Sequence, residues 1–124
     1  QFVRITVPPD TDKQIAFVEL KERIPLPSDW VALNVSAKLR VSDYIQGAET
    51  WHGVKVFLVF YDQAGEMIGS ELAAISLKED APEWVTLEKE VAIPSGSASF
   101  KIKAGIMGSS GVVEIDDLSV VPVK

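Results

Sequence analysis

The feature that most constrains this chain is a residue period of two. Val31, Leu33, Val35, Ala37, Leu39 and Val41 alternate with Ala32, Asn34, Ser36, Lys38 and Arg40. Successive side chains of a strand point to opposite faces, so this run reads as a half-buried antiparallel strand with one wet face. The pattern recurs where Phe100, Ile102, Ala104 and Ile106 alternate with Lys101, Lys103, Gly105 and Met107. It recurs again where Val85, Leu87, Val91 and Ile93 alternate with Thr86, Glu88, Glu90 and Ala92. The run from Val54 to Tyr61 differs, because Phe57, Val59 and Tyr61 make its second row largely apolar as well. That predicts a central strand covered on both sides, or one that offers Phe57 to a ligand.

The punctuation between these runs is that of a β protein. Pro8-Pro9-Asp10 follows a first strand over Phe2 to Val7, and Pro25, Pro27, Ser28 and Asp29 separate two later runs. Asp62-Gln63-Ala64-Gly65 reads as a hairpin connection with Gly65 at positive φ. Pro94-Ser95-Gly96 and Gly108-Ser109-Ser110-Gly111 are further turns. Short strands at this spacing suggest a sandwich or a barrel. Two segments fit either helix or strand, Gln14 to Ile24 and Glu71 to Lys78; their β surroundings favour strands. The segment from Ser42 to Gly53 is the longest candidate loop, and it carries Tyr44, Trp51 and His52.

Composition narrows the function. The 124 residues fit one domain spanning positions 1–124, and 47% of them are apolar, enough for a core. The longest apolar stretch is too short to cross a bilayer. No basic-then-apolar leader starts the sequence, so a signal peptide is expected to have been removed or to lie further upstream. Twelve Lys and Arg against eighteen Asp and Glu give a net charge of -6. Phosphate binding needs a surplus of cations, so the balance argues against nucleic acid and against an anionic membrane. It suits a neutral ligand or a protein partner. With no cysteine and one histidine, His52, thiolate metal sites, thiol nucleophiles and multi-histidine metal centres are excluded.

Three local patterns, in order, resemble the jelly-roll carbohydrate-binding modules attached to glycoside hydrolases. Trp51-His52-Gly53-Val54-Lys55-Val56 leads to Phe60-Tyr61-Asp62-Gln63-Ala64-Gly65. This is similar to the family's tryptophan, strand and aromatic-Asp-x-x-Gly hairpin. Trp84-Val85-Thr86-Leu87 followed by Val91-Ala92-Ile93-Pro94-Ser95-Gly96 resembles its Trp-strand-Ile-Pro-x-Gly stretch. Gly111 to Val120, with Asp116-Asp117 inside an apolar strand, resembles its closing strand. The match covers roughly Trp30 to Val123. Such modules often open with an Asn-Gly and Phe-Glu segment that supplies calcium ligands. Gln1 instead starts in what reads as a later strand, so the first strand is expected to be shortened away or supplied from elsewhere.

The resemblance implies an all-β, antiparallel β-sandwich of jelly-roll topology, about eight strands in two sheets. It implies a secreted, bacterial, non-catalytic domain that binds a polysaccharide or oligosaccharide and holds an attached glycoside hydrolase at its substrate. The alternative is a structural sandwich that braces a catalytic module without touching sugar. Sugar rings pack their C–H faces on aromatic rings, and flanking polar groups exchange hydrogen bonds with hydroxyls. Trp51 is therefore the leading candidate for a stacking platform, with Tyr44, Gln46, Glu49 and His52 beside it in sequence. Otherwise Trp51 covers the end of the core and His52 is merely solvated.

On the wet strand faces, Arg40 and Lys101 have the chemistry to bind hydroxyls or uronic carboxylates; otherwise these faces are simply solvated. Trp84 and Trp30 are expected to fill the sandwich ends, and Tyr61 to join the core with its hydroxyl at solvent. Asp116 and Asp117 point to opposite faces of a regular strand, so one faces inward and needs a partner. A structural calcium ion or a hydrogen-bonded bulge would serve. A glycosidase needs two carboxyls facing across a cleft, and no sequence signature selects such a pair.

Overall fold

A computed structural model describes residues 2–8, 15–19 and 23–124, with the backbone alone for 15–19. The strands are β1 (Val3–Val7), β2 (Ile15–Glu19), β3 (Ile24–Pro25), β4 (Ala32–Ile45), β5 (Gly53–Tyr61), β6 (Leu72–Leu77), β7 (Ala81–Ala92), β8 (Ser99–Met107) and β9 (Ser110–Val123). There is no helix among the described residues. Both ambiguous segments carry strands: β6 lies in one, and β2 and the start of β3 in the other. Residues 20–22, within the latter, and the end of the Pro8-Pro9-Asp10 turn lie outside the described residues.

All pairings are antiparallel and form two sheets. The first has the order β1-β9-β4-β7; the second runs β2-β8-β5-β6, with β3 also paired to β8. Since β2 and β3 lie end to end along one edge of β8, they fill one strand position, and each sheet has four. Apart from β2–β3 and the β5–β6 hairpin, every connection crosses from one sheet to the other. The chain wraps around its own core, and the architecture is a jelly-roll β-sandwich.

The core is the sum of the inward rows that the alternation marks. Leu33, Val35, Ala37, Leu39 and Val41 of β4 face Val54, Val56, Leu58 and Phe60 of β5 and Phe100, Ile102, Ala104 and Ile106 of β8. Val7 of β1, Ile75 of β6, Val91 of β7 and Val113 and Ile115 of β9 complete it. Burying each Val, Leu, Ile or Phe among them contributes about 1.5–3 kcal/mol. The central position expected for Val54 to Tyr61 is found, since β5 lies between β8 and β6.

The Asp62 turn also forms as expected. Gly65 has φ 84°, and the Asp62 carboxylate accepts hydrogen bonds from the backbone N–H of Ala64 and Glu66, both at 2.9 Å. The edge strand β7 exposes Pro82, Glu83, Glu88, Lys89 and Glu90, a row rich in charge with one residue that cannot donate to a ladder.

Two bulges between β4 and β9 bear on the site, besides register shifts in the β4–β7 and β5–β6 ladders. The β4–β9 register slips between Ser42 and Ile45 and between Ser36 and Lys38. Each slip holds a non-glycine residue at positive φ, Asp43 at 55° and Asp117 at 48°. An extra residue in one strand reverses the facing of the residues beyond it. Tyr44, which plain alternation would set with Arg40 and Ser42 on the outside, packs against the core. The strand β4 therefore runs to Ile45, and the long loop expected from Ser42 shrinks to 46–52.

Candidate functional site

The loop 46–52 joins β4 of the first sheet to β5 of the second, and its own polar groups fix its shape. The Tyr44 hydroxyl donates to Oε1 of Gln46 at 2.5 Å and lies 3.0 Å from Oγ of Ser109. The Gln46 amide then donates to the carbonyls of Glu49 and His52, both at 3.0 Å. Backbone N–H of Gly47 donates to Ser109 Oγ at 2.9 Å. His52 accepts the Glu49 N–H on Nδ1 at 3.2 Å. The Lys78 ammonium donates to the Thr50 carbonyl from across the sheet.

The loop closes too tightly for side chains at two glycines. A Cβ on Gly47 would sit 2.3 Å from both the Gly108 carbonyl oxygen and His52 Nδ1. One on Gly108 would sit 2.3 Å from the imidazole of His52. The two glycines thus form a slot for that ring. The Trp51 indole meets it edge-on, with centroids 4.3 Å apart at 74°.

Trp51 is held this way at 56% exposure. It stands at one end of an open cleft of about 460 Å³ on the outer face of the second sheet. Clefts that bind small molecules run from roughly 300 to 1,000 Å³. Phe57, Met67, Ala73 and Met107 give the cleft an apolar lining, while Lys55, Ser70 and Glu71 bring polar groups.

The side chains of Lys55 and Phe57 belong to the outward row of β5, yet both are buried. The Lys55 ammonium donates to Ser76 Oγ at 2.7 Å. Burial, with the nearby charge of Lys78, holds its pKa below the usual lysine value. Lys103, beside Phe57 in the β8 register, is ion-paired with Glu71.

The residues singled out from the sequence therefore separate into groups. Tyr44, Gln46, Glu49, Trp51 and His52 come together. Of these, Trp51 faces the cleft, while the polar atoms of Tyr44, Gln46 and His52 are engaged in building the loop.

Arg40 lies elsewhere, on the outer face of the first sheet. Its guanidinium donates to Glu114 at 2.6 Å and stacks on Trp84, 4.6 Å from the ring centroid. Arg4 grips the other oxygen of Glu114 at 2.9 Å. Hydrogen bonds from Arg40 and then Arg4 hold the Glu114 carboxyl below the usual carboxylate range.

Trp84 does not fill a sandwich end. The strand β7 begins three residues earlier than expected, at Ala81, so Trp84 falls within its outward row and contacts Phe2 edge-to-face at 5.7 Å. Trp30 packs partly buried against the core. Tyr61 is half-buried on the outer row of β5, with Arg23 3.6 Å above its ring.

Asp116 and Asp117 occupy the β9 bulge. Asp116 is half-buried, and its carboxylate accepts from the Asp117 N–H at 2.8 Å; Asp117 is exposed and pairs with Lys38 at 3.1 Å. Neither faces the interior, because the bulge breaks the regular alternation on which that expectation rested. Calcium takes about six to eight oxygen ligands. Among the described residues no group of three or more metal-ligating side chains gathers, and these two carboxylates are engaged with other groups. They do not fit a calcium cage as placed. A larger cleft of about 610 Å³ beside them is lined by Phe2, Val3 and Leu118 as well. The Trp51 cleft is the better candidate because it presents the more exposed and larger aromatic ring, an indole 56% exposed.

Sequence reasoning missed Met67, Ser70, Glu71 and Ala73 as partners of Trp51. Only the β5–β6 pairing brings them beside the cleft, and no local spacing announces it. It also read Gly47 and Gly108 as ordinary loop and turn residues.

No family model matches the chain, and no curated protein matches its sequence. Solved structures match its fold. The enzymatically active domain of bacteriophage CBA120 tailspike protein 4 superimposes with a TM-score of 0.63 at 9% identity, over 99% of this chain and 18% of that one. A CBM4 structure superimposes with a TM-score of 0.60 at 13% identity, over 98% of this chain and 71% of that one. This chain thus spans less than a fifth of the tailspike chain. With the two-sheet wrap, the likeness defines the class: a jelly-roll fold of the carbohydrate-binding-module type. At such identities it is a likeness of fold, and function is argued from the cleft.

Proposed function

We propose that this domain binds a polysaccharide chain without cleaving it, in the cleft that Trp51 closes at one end. The carrying observation is the Trp51 indole, 56% exposed on a loop that its neighbours hold rigid. A pyranose face packs on the indole, the apolar lining accepts further C–H surface, and Ser70, Glu71 and Lys55 exchange hydrogen bonds with hydroxyls. A platform already ordered before binding avoids much of the entropic cost of association. Glycoside cleavage needs a facing pair of carboxyls. Glu71 is the acid among the described lining residues, and Lys103 holds it.

In this reading the domain works outside the cell, tethered to a glycoside hydrolase. It raises that enzyme's effective concentration at the polymer surface. The second reading, a bracing domain, draws support from the opposite face, where Phe2 and Trp84 are exposed around Arg40.

Retention on a panel of polysaccharide affinity gels separates the two. The proposal expects retention on at least one polymer, and a loss of tenfold or more in affinity for Trp51→Ala with an unchanged melting temperature. Retention that survives Trp51→Ala, or none on any polymer, refutes the site and leaves bracing as the better account.

A further inference from the structure

We infer that the cleft takes an acidic polysaccharide, one whose sugar units carry carboxylate or sulfate groups, with one such group reaching Lys55. The inference rests on the sugar-binding reading above and names its substrate class.

It starts from Lys55, which lines the cleft at 6% exposure. Its ammonium has three donors, and one is used, on the neutral Ser76 hydroxyl. No carboxylate among the described residues pairs with it. Burial, and then the charge of another cation, Lys78, lowers its pKa. Taking an ammonium out of water without a counter-charge costs several kcal/mol, so buried charges are ordinarily paired. Lys55 is an exception, and it borders a cleft open to ligand.

Further lysines stand on the same face, together with Glu71 of the cleft lining. Antiparallel register sets Lys101 opposite Val59 and Lys103 opposite Phe57, on the outward row that Lys55 shares. Lys78 is bound to the carbonyl of Thr50, the residue before Trp51. Glu71 is engaged by Lys103. These lysines lie on a chain whose net charge is -6. The rest of the negative charge is screened within roughly 8 Å at physiological salt. A hydroxyl offers Lys55 a dipole; a carboxylate or sulfate supplies the missing counter-charge in a site already partly dry, where a charge-assisted bond is about twice as strong as a neutral one.

The test compares polymers that share a backbone. The whole chain is run on affinity gels of polygalacturonate against its methyl ester, and of a sulfated galactan against its desulfated form, at low and high salt. The expectation is tenfold or tighter retention on the acidic member of one pair, weakening as salt rises. The preferred pair tells carboxylate from sulfate. Lys55→Met then abolishes the preference for the acidic member of the pair, whereas Trp51→Ala loses retention on both members. Equal retention on both members of each pair, independent of salt, overturns the acidic inference and leaves sugar binding standing. No retention on any polymer overturns both. The esterification and desulfation comparisons need no variant, so they decide the matter even if Lys55→Met does not fold.

Discussion

Replacing Gly108 with alanine separates the loop's role in binding from its role in stability. Gly108 and Gly96 both hold positive φ, 68° and 86°, where an L side chain costs about 1–2 kcal/mol. They differ in what a new methyl meets. At Gly96 nothing lies within 4 Å, while at Gly108 the His52 ring lies at 2.3 Å. Carbon atoms rest at about 3.5 Å, so the imidazole must retreat by roughly 1 Å or more. That retreat breaks the 3.2 Å bond from Glu49 N–H, about 1 kcal/mol, and removes the ring against which Trp51 rests.

Gly96→Ala should therefore cost about 1–2 kcal/mol and Gly108→Ala about 2–3 kcal/mol, with roughly 4 °C of melting temperature lost per kcal/mol. Calorimetry measures the difference. The imidazole C–H resonances of the only histidine report on the ring, and affinity gels on the ligand. Gly96→Ala should leave both readouts unchanged; Gly108→Ala should shift the resonances and weaken retention. Equal melting losses, with His52 resonances and retention unaltered in both variants, would refute the reasoning.

Other perturbations test the frame around the site. Glu114 is held below the usual carboxylate range by Arg40 and Arg4. Its stabilising effect is therefore fully present above its unfolded pKa and is lost as pH falls through the lowered folded value. Wild type should melt higher than Glu114→Gln at neutral pH, and the gap should close on acidification below the ordinary carboxylate range. A gap constant with pH would contradict the assigned cause. Asp62→Ala removes two backbone hydrogen bonds in the β5–β6 turn and should cost about 1–2 kcal/mol in urea unfolding, with retention on polysaccharide unchanged.

Much of the sandwich is legible in the sequence because one physical rule governs it. Wherever an apolar row must meet another sheet, side chains alternate. Leu33 to Val41 and Phe100 to Ile106 therefore announce their own burial, and Val54 to Tyr61 announces its central place. The rule fails at bulges. Asp43 adopts a left-handed conformation, and Tyr44 changes sides; Asp117 does the same within β9, and neither aspartate turns inward. Aspartate tolerates the left-handed region better than most residues, but how the two long strands fit together selects which aspartates adopt it.

The site is half legible for a related reason. Trp51 and its loop neighbours are close in sequence, so the cluster can be read. Met67, Glu71 and Lys55 meet it through strand pairing, and the burial of Lys55 depends on what surrounds β5 on both sides. Arg40 shares a strand with Tyr44 yet faces the far surface, since no local signal records which sheet forms the cleft wall.

The outermost strand β7 has a consequence for how many copies can work at once. Under the proposed binding, modules gathered on one polymer would stand at high local density, where bare sheet borders zip together. Pro82 withholds a donor from any such ladder, and Glu83, Glu88 and Glu90 confront their own likenesses on an approaching copy. This border of the first sheet therefore resists pairing between copies.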